Sequence, residues 1–161
     1  VEPNTKIVPG KGLVLASIVI AVLFALMILY AGYVIGTLPA SYFTNLTKVY
    51  SGFSTSINLT EANFKGILSN VLYGYGIIFL ILGLIGIPFV YMPLSHNLPE
   101  KAIGPALAIG IIEIIIGLIT ILFIIPGIFM IIAWYQIRKF NREMALKSLT
   151  TSSLKGRGFQ L

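Results

Sequence analysis

"AIGIIEIIIGLITILFIIPGIFMIIAWYQIRKF", residues 108–140, carries a single carboxylate, Glu113, inside the longest apolar run of the chain and stops at Arg138-Lys139. How often this run crosses a membrane decides the fold. As one continuous helix, residues 102–137 would be about 54 Å long at 1.5 Å per residue. A hydrocarbon core is about 30 Å thick. Two solutions follow from the sequence. One is a helix kinked at Pro126-Gly127, its end protruding or lying in the interface. The other is a hairpin turning near Gly117 to Thr120, whose arms of about 17 residues reach the lower limit for spanning.

The rest of the chain has the same character. Of 161 residues, 57% are hydrophobic and 10% charged, with a mean hydropathy of +0.97, whereas soluble domains are about 45–50% apolar and about 25% charged. That composition argues against a water-soluble fold. Leu13 to Gly36 has no charge and exceeds the apolar region of a secretory signal, about 7–15 residues, so it reads as a membrane span. Ser69 to Met92 is a second, with Tyr73 and Tyr75 at its head and Tyr91 at its foot, where aromatic belts form at the two membrane surfaces. Between them, residues 37–68 turn to Ser, Thr, Asn, Tyr and Phe and read as a polar outer loop. Thr60-Glu61 within it has the chemistry of a helix start, a hydroxyl cap followed by an acid in the first turn.

The ends fix the count of crossings. The net charge of +6 lies mostly in residues 138–161, where Arg138, Lys139, Arg142, Lys147, Lys155 and Arg157 face Glu143 alone. Such a cluster marks the cytoplasmic side and touches anionic lipid headgroups, with nucleic acid the other polyanion it would attract. The loop carries two N-x-[ST] sequons, at Asn45 and Asn58, candidate glycosylation sites only if it lies outside the cytoplasm. With that loop outside and the tail inside, the crossings after the loop must be odd in number. The expected fold is therefore all-α and polytopic, with four transmembrane helices: 13–36, 69–92 and a hairpin within 103–137, followed by a basic tail over 138–161. The alternative has three, the last long and kinked at Pro126.

Small residues mark the packing faces. Ser17, Ala21 and Ala25 recur every four positions, and Gly32 and Gly36 form a G-x-x-x-G pair that lets another backbone approach closely. "GIIFLILGLI" (Gly76 to Ile85) and "GIIEIIIGLI" (Gly110 to Ile119) differ at three positions, and each carries glycines seven apart, Gly76 with Gly83 and Gly110 with Gly117. Residues seven apart share one helix face. The expectation is that these two glycine faces meet each other.

Chemistry is sparse. The chain has no cysteine, and His96 is the lone histidine, so no thiolate or paired-imidazole site for a metal or haem can be built. No nucleophile–base set, glycine-rich phosphate loop or carboxylate pair occurs. The chain is expected to be non-enzymatic and to hold no cofactor. Glu113 is the exception, since an ionisable group at mid-membrane is a functional candidate by default. It reads as a hydrogen-bonded structural acid, using Thr120, Tyr73, Tyr75 or a glycine-exposed backbone. The competing roles are proton or ion handling and contact with another subunit.

Residues 21–92 resemble the small hydrophobic hairpin proteins in the envelopes of archaeal spindle-shaped viruses. The similarity is carried by "IGTLP" closing the first span, "NLT" at Asn45 to Thr47, "SGFSTSINLTEAN" from Ser51 to Asn63, and the aromatic-headed second helix. It implies a structural unit whose helices pack laterally in lipid, as a homo- or hetero-oligomer, with a basic tail facing the interior. The third apolar run and the tail depart from that two-helix pattern, which leaves open a cellular origin. The Ile-rich, cysteine-free composition suits a hot-environment archaeon. Membrane lipid and other membrane chains are the expected partners, in a cell membrane or a viral envelope. An accessory subunit of a respiratory or transport complex is the competing class, and a proton or ion pathway through Glu113 the third.

Overall fold

A computed structural model of the chain describes residues 7–53, 60–121 and 124–157, all helical apart from short turns and without a strand among them. Helix α1 spans Lys11–Thr37, a 3-10 turn Ala40–Phe43 and helix α2 Thr44–Phe53. Helix α3 (Glu61–Gly86) runs through a π turn, Ile87–Tyr91, into the short α4 (Met92–Ser95). Helices α5 (Pro99–Thr120) and α6 (Ile124–Arg157) complete the chain. Three helical stretches are long and apolar enough to cross a membrane: Lys11–Thr37, Glu61–Ser95 and Pro99–Thr120.

The long run of residues 108–140 is thus divided between α5, which ends at Thr120 where the turn was expected, and α6, which begins at Ile124 ahead of Pro126. Pro126 falls in the first turn of α6, where a missing N–H costs nothing because that donor has no intrahelical acceptor. The break is made by Ile121, whose φ of +60° is foreign to a β-branched residue. Its N–H still donates to the Gly117 carbonyl at 2.6 Å, and the Ile124 N–H donates to the Ile121 carbonyl at 3.2 Å.

Prolines shape the approach to this hairpin. Pro88 can give no N–H to the carbonyl four residues back, and its ring would crowd that carbonyl. The helix widens there into the π turn. After α4 the chain reverses at Asn97, φ +58°. The Leu98 N–H donates to the Pro93 carbonyl at 2.9 Å and the Asn97 N–H to the Leu94 carbonyl at 3.3 Å, the paired bonds of a Schellman stop. His96 lies exposed in this turn. Inside α5, Gly104 precedes Pro105, and a residue without Cβ is the one that best tolerates helical geometry before a proline.

The chain divides into two compact units, Val22–Ile81 and a second one made of Val1–Ala21 with Leu82–Leu161. In the Val22–Ile81 unit α1 and α3 run antiparallel. The Ser69 hydroxyl donates to the Gly32 carbonyl at 2.8 Å, and a Cβ built on Gly36 would lie 3.1 Å from Ser69 Oγ. The segment expected as a polar loop is helical where it is described. Phe43 is buried and packs on Phe64 at 6.0 Å between ring centroids, with Tyr50 on the same ring at 5.3 Å. Tyr50 of α2 and Phe43 of the 3-10 turn before it thus share one ring of α3, which gives this segment its apolar contact. Thr60 caps α3, its hydroxyl accepting the Asn63 N–H at 3.2 Å, with Glu61 in the first turn.

In the other unit four helical segments alternate in direction. Gly10 abuts Ala133 and Ile137 near the end of the apolar part of α6, whereas Ser17 reaches Pro126 at its beginning. Gly86 meets Ile18 and Met130, and Lys11 lies over Tyr91. The start of α1, the end of α3 through α4, the start of α5 and residues 133–138 of α6 therefore share one end.

Candidate functional site

The interior of this second unit is a seam of small residues with one acid in it. On α5 the buried positions include Ala102, Ala106, Gly110, Glu113 and Gly117, steps of three and four that form one helix face. On α6 the facing positions are Pro126, Gly127, Met130, Ala133 and Ile137, all buried. The two backbones touch where glycines oppose. A Cβ on Gly127 would stand 3.0 Å from the Gly110 carbonyl oxygen, 3.0 Å from the Ile114 nitrogen and 2.7 Å from Ile114 Cγ1, and one on Gly110 would stand 2.8 Å from Ile131 Cδ1. This register sets Glu113 on the level of Pro126 and Gly127. At that level the Ser17 hydroxyl donates to the Pro126 carbonyl at 2.8 Å.

Glu113 is 1% exposed, and among the described residues neither carboxylate oxygen has a hydrogen-bond partner. The expected bond to Thr120, Tyr73 or Tyr75 is not made. The seam explains part of this: glycine and alanine bring the backbones close but carry no side-chain donor for the carboxylate. Among the described residues the buried polar side chains are Ser17, Thr47, Ser69 and Glu113, with no second acid or histidine among them to serve as a proton partner. Among the described residues no cluster of His, Cys, Asp or Glu could hold a metal ion.

The small residues singled out from sequence fall as follows. Ser17, Ala21 and Ala25 are fully buried, Gly32 lies against Ser69 and Leu72, and Gly36 against Ser69. Gly83 and Gly117 are buried. In the two copies of the glycine pattern, Gly76 meets Leu29 and the Ala25 carbonyl of α1, and Gly110 meets Ile131 and Gly127 of α6. Asn45 is exposed on α2, and the Thr47 hydroxyl of its sequon is buried, donating to Phe43 and Thr44 carbonyls at 3.1 and 3.0 Å. Asn58 lies outside the described residues.

At the shared end, the Arg138 guanidinium lies 5.3 Å from the Trp134 ring centroid and Lys11 Nζ 5.3 Å from that of Tyr91. Tyr135, Arg138, Lys139, Arg142, Glu143 and Leu146 line a cleft of about 390 Å³. Beyond it α6 continues with Lys147 exposed, in a run of exposed residues over 142–150. Lys155 and Arg157 belong to its final turn. Sequence reading missed Lys11 as a member of this end. The signal available was its position, one residue before an uncharged span. Comparison with protein-family models, curated proteins and solved structures finds no match to this chain.

Proposed function

We propose that the chain is a non-enzymatic building block of a membrane or viral envelope, crossing four times with its N-terminus and basic tail on the inner side and residues 37–60 outside. The observation that carries this reading is an inverted surface. Large apolar side chains such as Leu23, Met27, Ile78, Ile81, Ile111 and Ile115 point outward, about half exposed or more, while Ser, Ala and Gly fill the contacts between helices. Large apolar patches call for lipid or further helices to cover them, and small residues at helix contacts are the membrane pattern. The antiparallel packing of α5 on α6 and the meeting of Gly10 with Ile137 support an even number of crossings. The apolar part of α6, residues 124–137, is about 21 Å long. It is a short arm, tethered by Trp134 and Tyr135 at the interface.

The cysteine-free chain makes this testable. Ser95→Cys and Ser148→Cys are expected to react with a membrane-impermeant maleimide only after sealed vesicles are opened, and Thr60→Cys before. Reaction of Ser148→Cys on the same side as Thr60→Cys would leave three crossings. Cross-linking in the native membrane should capture multimers or fixed partner chains, and a chain that stays monomeric there is no building block.

A second reading is favoured by one observation, the lone acid. If Glu113 moves protons or cations, the reconstituted chain carries a flux that Glu113→Gln abolishes. No flux in the wild type, or an equal flux in the variant, ends that reading.

A further inference from the structure

We propose that α2 is a membrane-surface helix, whose exposed apolar stripe of Leu46, Val49 and Tyr50, extended by Tyr42 in the turn before it, rests in the acyl boundary of the leaflet at the outer end of α3. The inference rests on the membrane reading above and replaces a solvated loop by a helix lying in the lipid interface. Spacing defines the stripe: residues 46, 49 and 50 stand three and four positions apart and Tyr42 four before Leu46, which puts them on one side of a helix. All four are about half exposed or more. Lys48 and Ser51 are exposed on the opposite side, and Lys48 is the only charge between Lys11 and Glu61. Phe43 and Thr47, four apart and both buried, form a third side turned to the protein. A helix with one apolar, one polar and one protein-facing side fits the edge of a membrane domain, where lipid, water and protein meet.

The level of α2 is set by α3. Lys65 Nζ donates to the Leu38 carbonyl at 3.0 Å, and Phe43 and Tyr50 both lie on the Phe64 ring. Contacts spread over residues 38–50 thus converge on residues 64 and 65, so the segment lies across α3 and not along it. After Lys65 the chain carries no charge until Glu100, which makes this the level at which α3 enters the apolar layer. Tyr50, Phe64, Ile67, Leu68 and Val71 line an apolar groove of about 270 Å³, which joins the stripe to the outward side of α3. The membrane reading gives that side, with Ile67, Val71 and Ile78 about half exposed, to lipid, and hydrocarbon covering it runs on beneath Tyr50. The hydroxyls that make the segment polar in composition are already spent. Thr44, Thr47 and Ser51 donate to the carbonyls of Ser41, Thr44 and Lys48, each three residues back, so bringing this helix to the acyl boundary strands none of those donors.

The chain has no cysteine, so single nitroxide labels can be placed on it at Leu46→Cys, Val49→Cys, Lys48→Cys and Ser51→Cys, all at exposed positions. The full chain is reconstituted in phosphatidylcholine vesicles, and each label is tested for relaxation by oxygen, which concentrates in hydrocarbon, and by a water-soluble nickel chelate. The oxygen-to-nickel ratio is expected to be severalfold higher at Leu46 and Val49 than at Lys48 and Ser51. Equal ratios at the four positions overturn the proposal, whichever reagent dominates. Exclusion of both reagents from Leu46 and Val49 overturns it in favour of a protein cover, such as a second copy of the chain. A label at Ile78→Cys separates this proposal from the reading beneath it. Nickel access at Ile78 defeats the membrane reading itself, whereas oxygen access there with nickel access at Leu46 and Val49 defeats only the surface helix.

Discussion

Gly127→Leu is expected to lower stability in mixed micelles by about 3 kcal/mol, at the upper end of what overpacking a core costs, and to part α5 from α6. The obstacle is backbone. Ile114 Cγ1 could rotate away, but the Gly110 carbonyl and the Ile114 nitrogen, each 3.0 Å from the site of a new Cβ, can yield only if the helices separate. Gly127→Ala should already cost about 2 kcal/mol by the same contact. Gly74→Ala is the internal control: nothing lies within 4 Å of a Cβ there, so the substitution should gain up to about 1 kcal/mol from helix propensity. A titration with sodium dodecyl sulfate followed by circular dichroism ranks the three. Equal midpoints for Gly127→Leu and the wild type would show that the glycine contact does not hold the hairpin.

The opposite sign is expected at the acid. Glu113→Met keeps an unbranched side chain of similar reach and removes a carboxyl whose oxygens have no partner. An unsatisfied polar group in a protein interior costs about 1–3 kcal/mol, and an acid at mid-membrane about 2.5–3.5 kcal/mol on insertion scales. The variant should be more stable than the wild type by about 2–3 kcal/mol in the same titration. Loss of stability instead would mean that the carboxyl makes a bond that holds the unit together. A stabilised variant that fails to assemble, or loses a flux the wild type carries, would identify the acid as kept for its task at the expense of the fold.

Much of the architecture is legible in residue order. The spans follow from uncharged runs, Thr60 announces the start of α3, and the small-residue faces follow from spacings of four and seven. What the order of residues does not reveal is which helix meets which face. Gly76 and Gly110 stand in nearly the same ten-residue phrase, yet one packs on α1 and the other on α6, because periodicity defines a face and only the chain reversals choose its partner. Pro126-Gly127 looks like a kink, but a proline ceases to be a defect when the helix begins two residues before it. Residues 44–53 look like loop because their hydroxyls and Asn45 outweigh Tyr50 and Phe53 in composition, while seating on Phe64 supplies the apolar partner that composition omits. Glu113 was visible as an anomaly. Its lack of a partner was not, since that depends on α6 presenting glycine and proline at its level.

The shortness of the apolar arm of α6 bears on the order of events during synthesis. Residues 124–137, followed at once by Arg138 and Lys139, form too brief a greasy segment to enter lipid as an independent span. Helix α5 leaves the ribosome first and offers Gly110 and Ile114 as a template for Gly127. In a chain that crosses as proposed above, insertion of the last segment would be a docking step, in which a newly made helix recognises the predecessor already beside it.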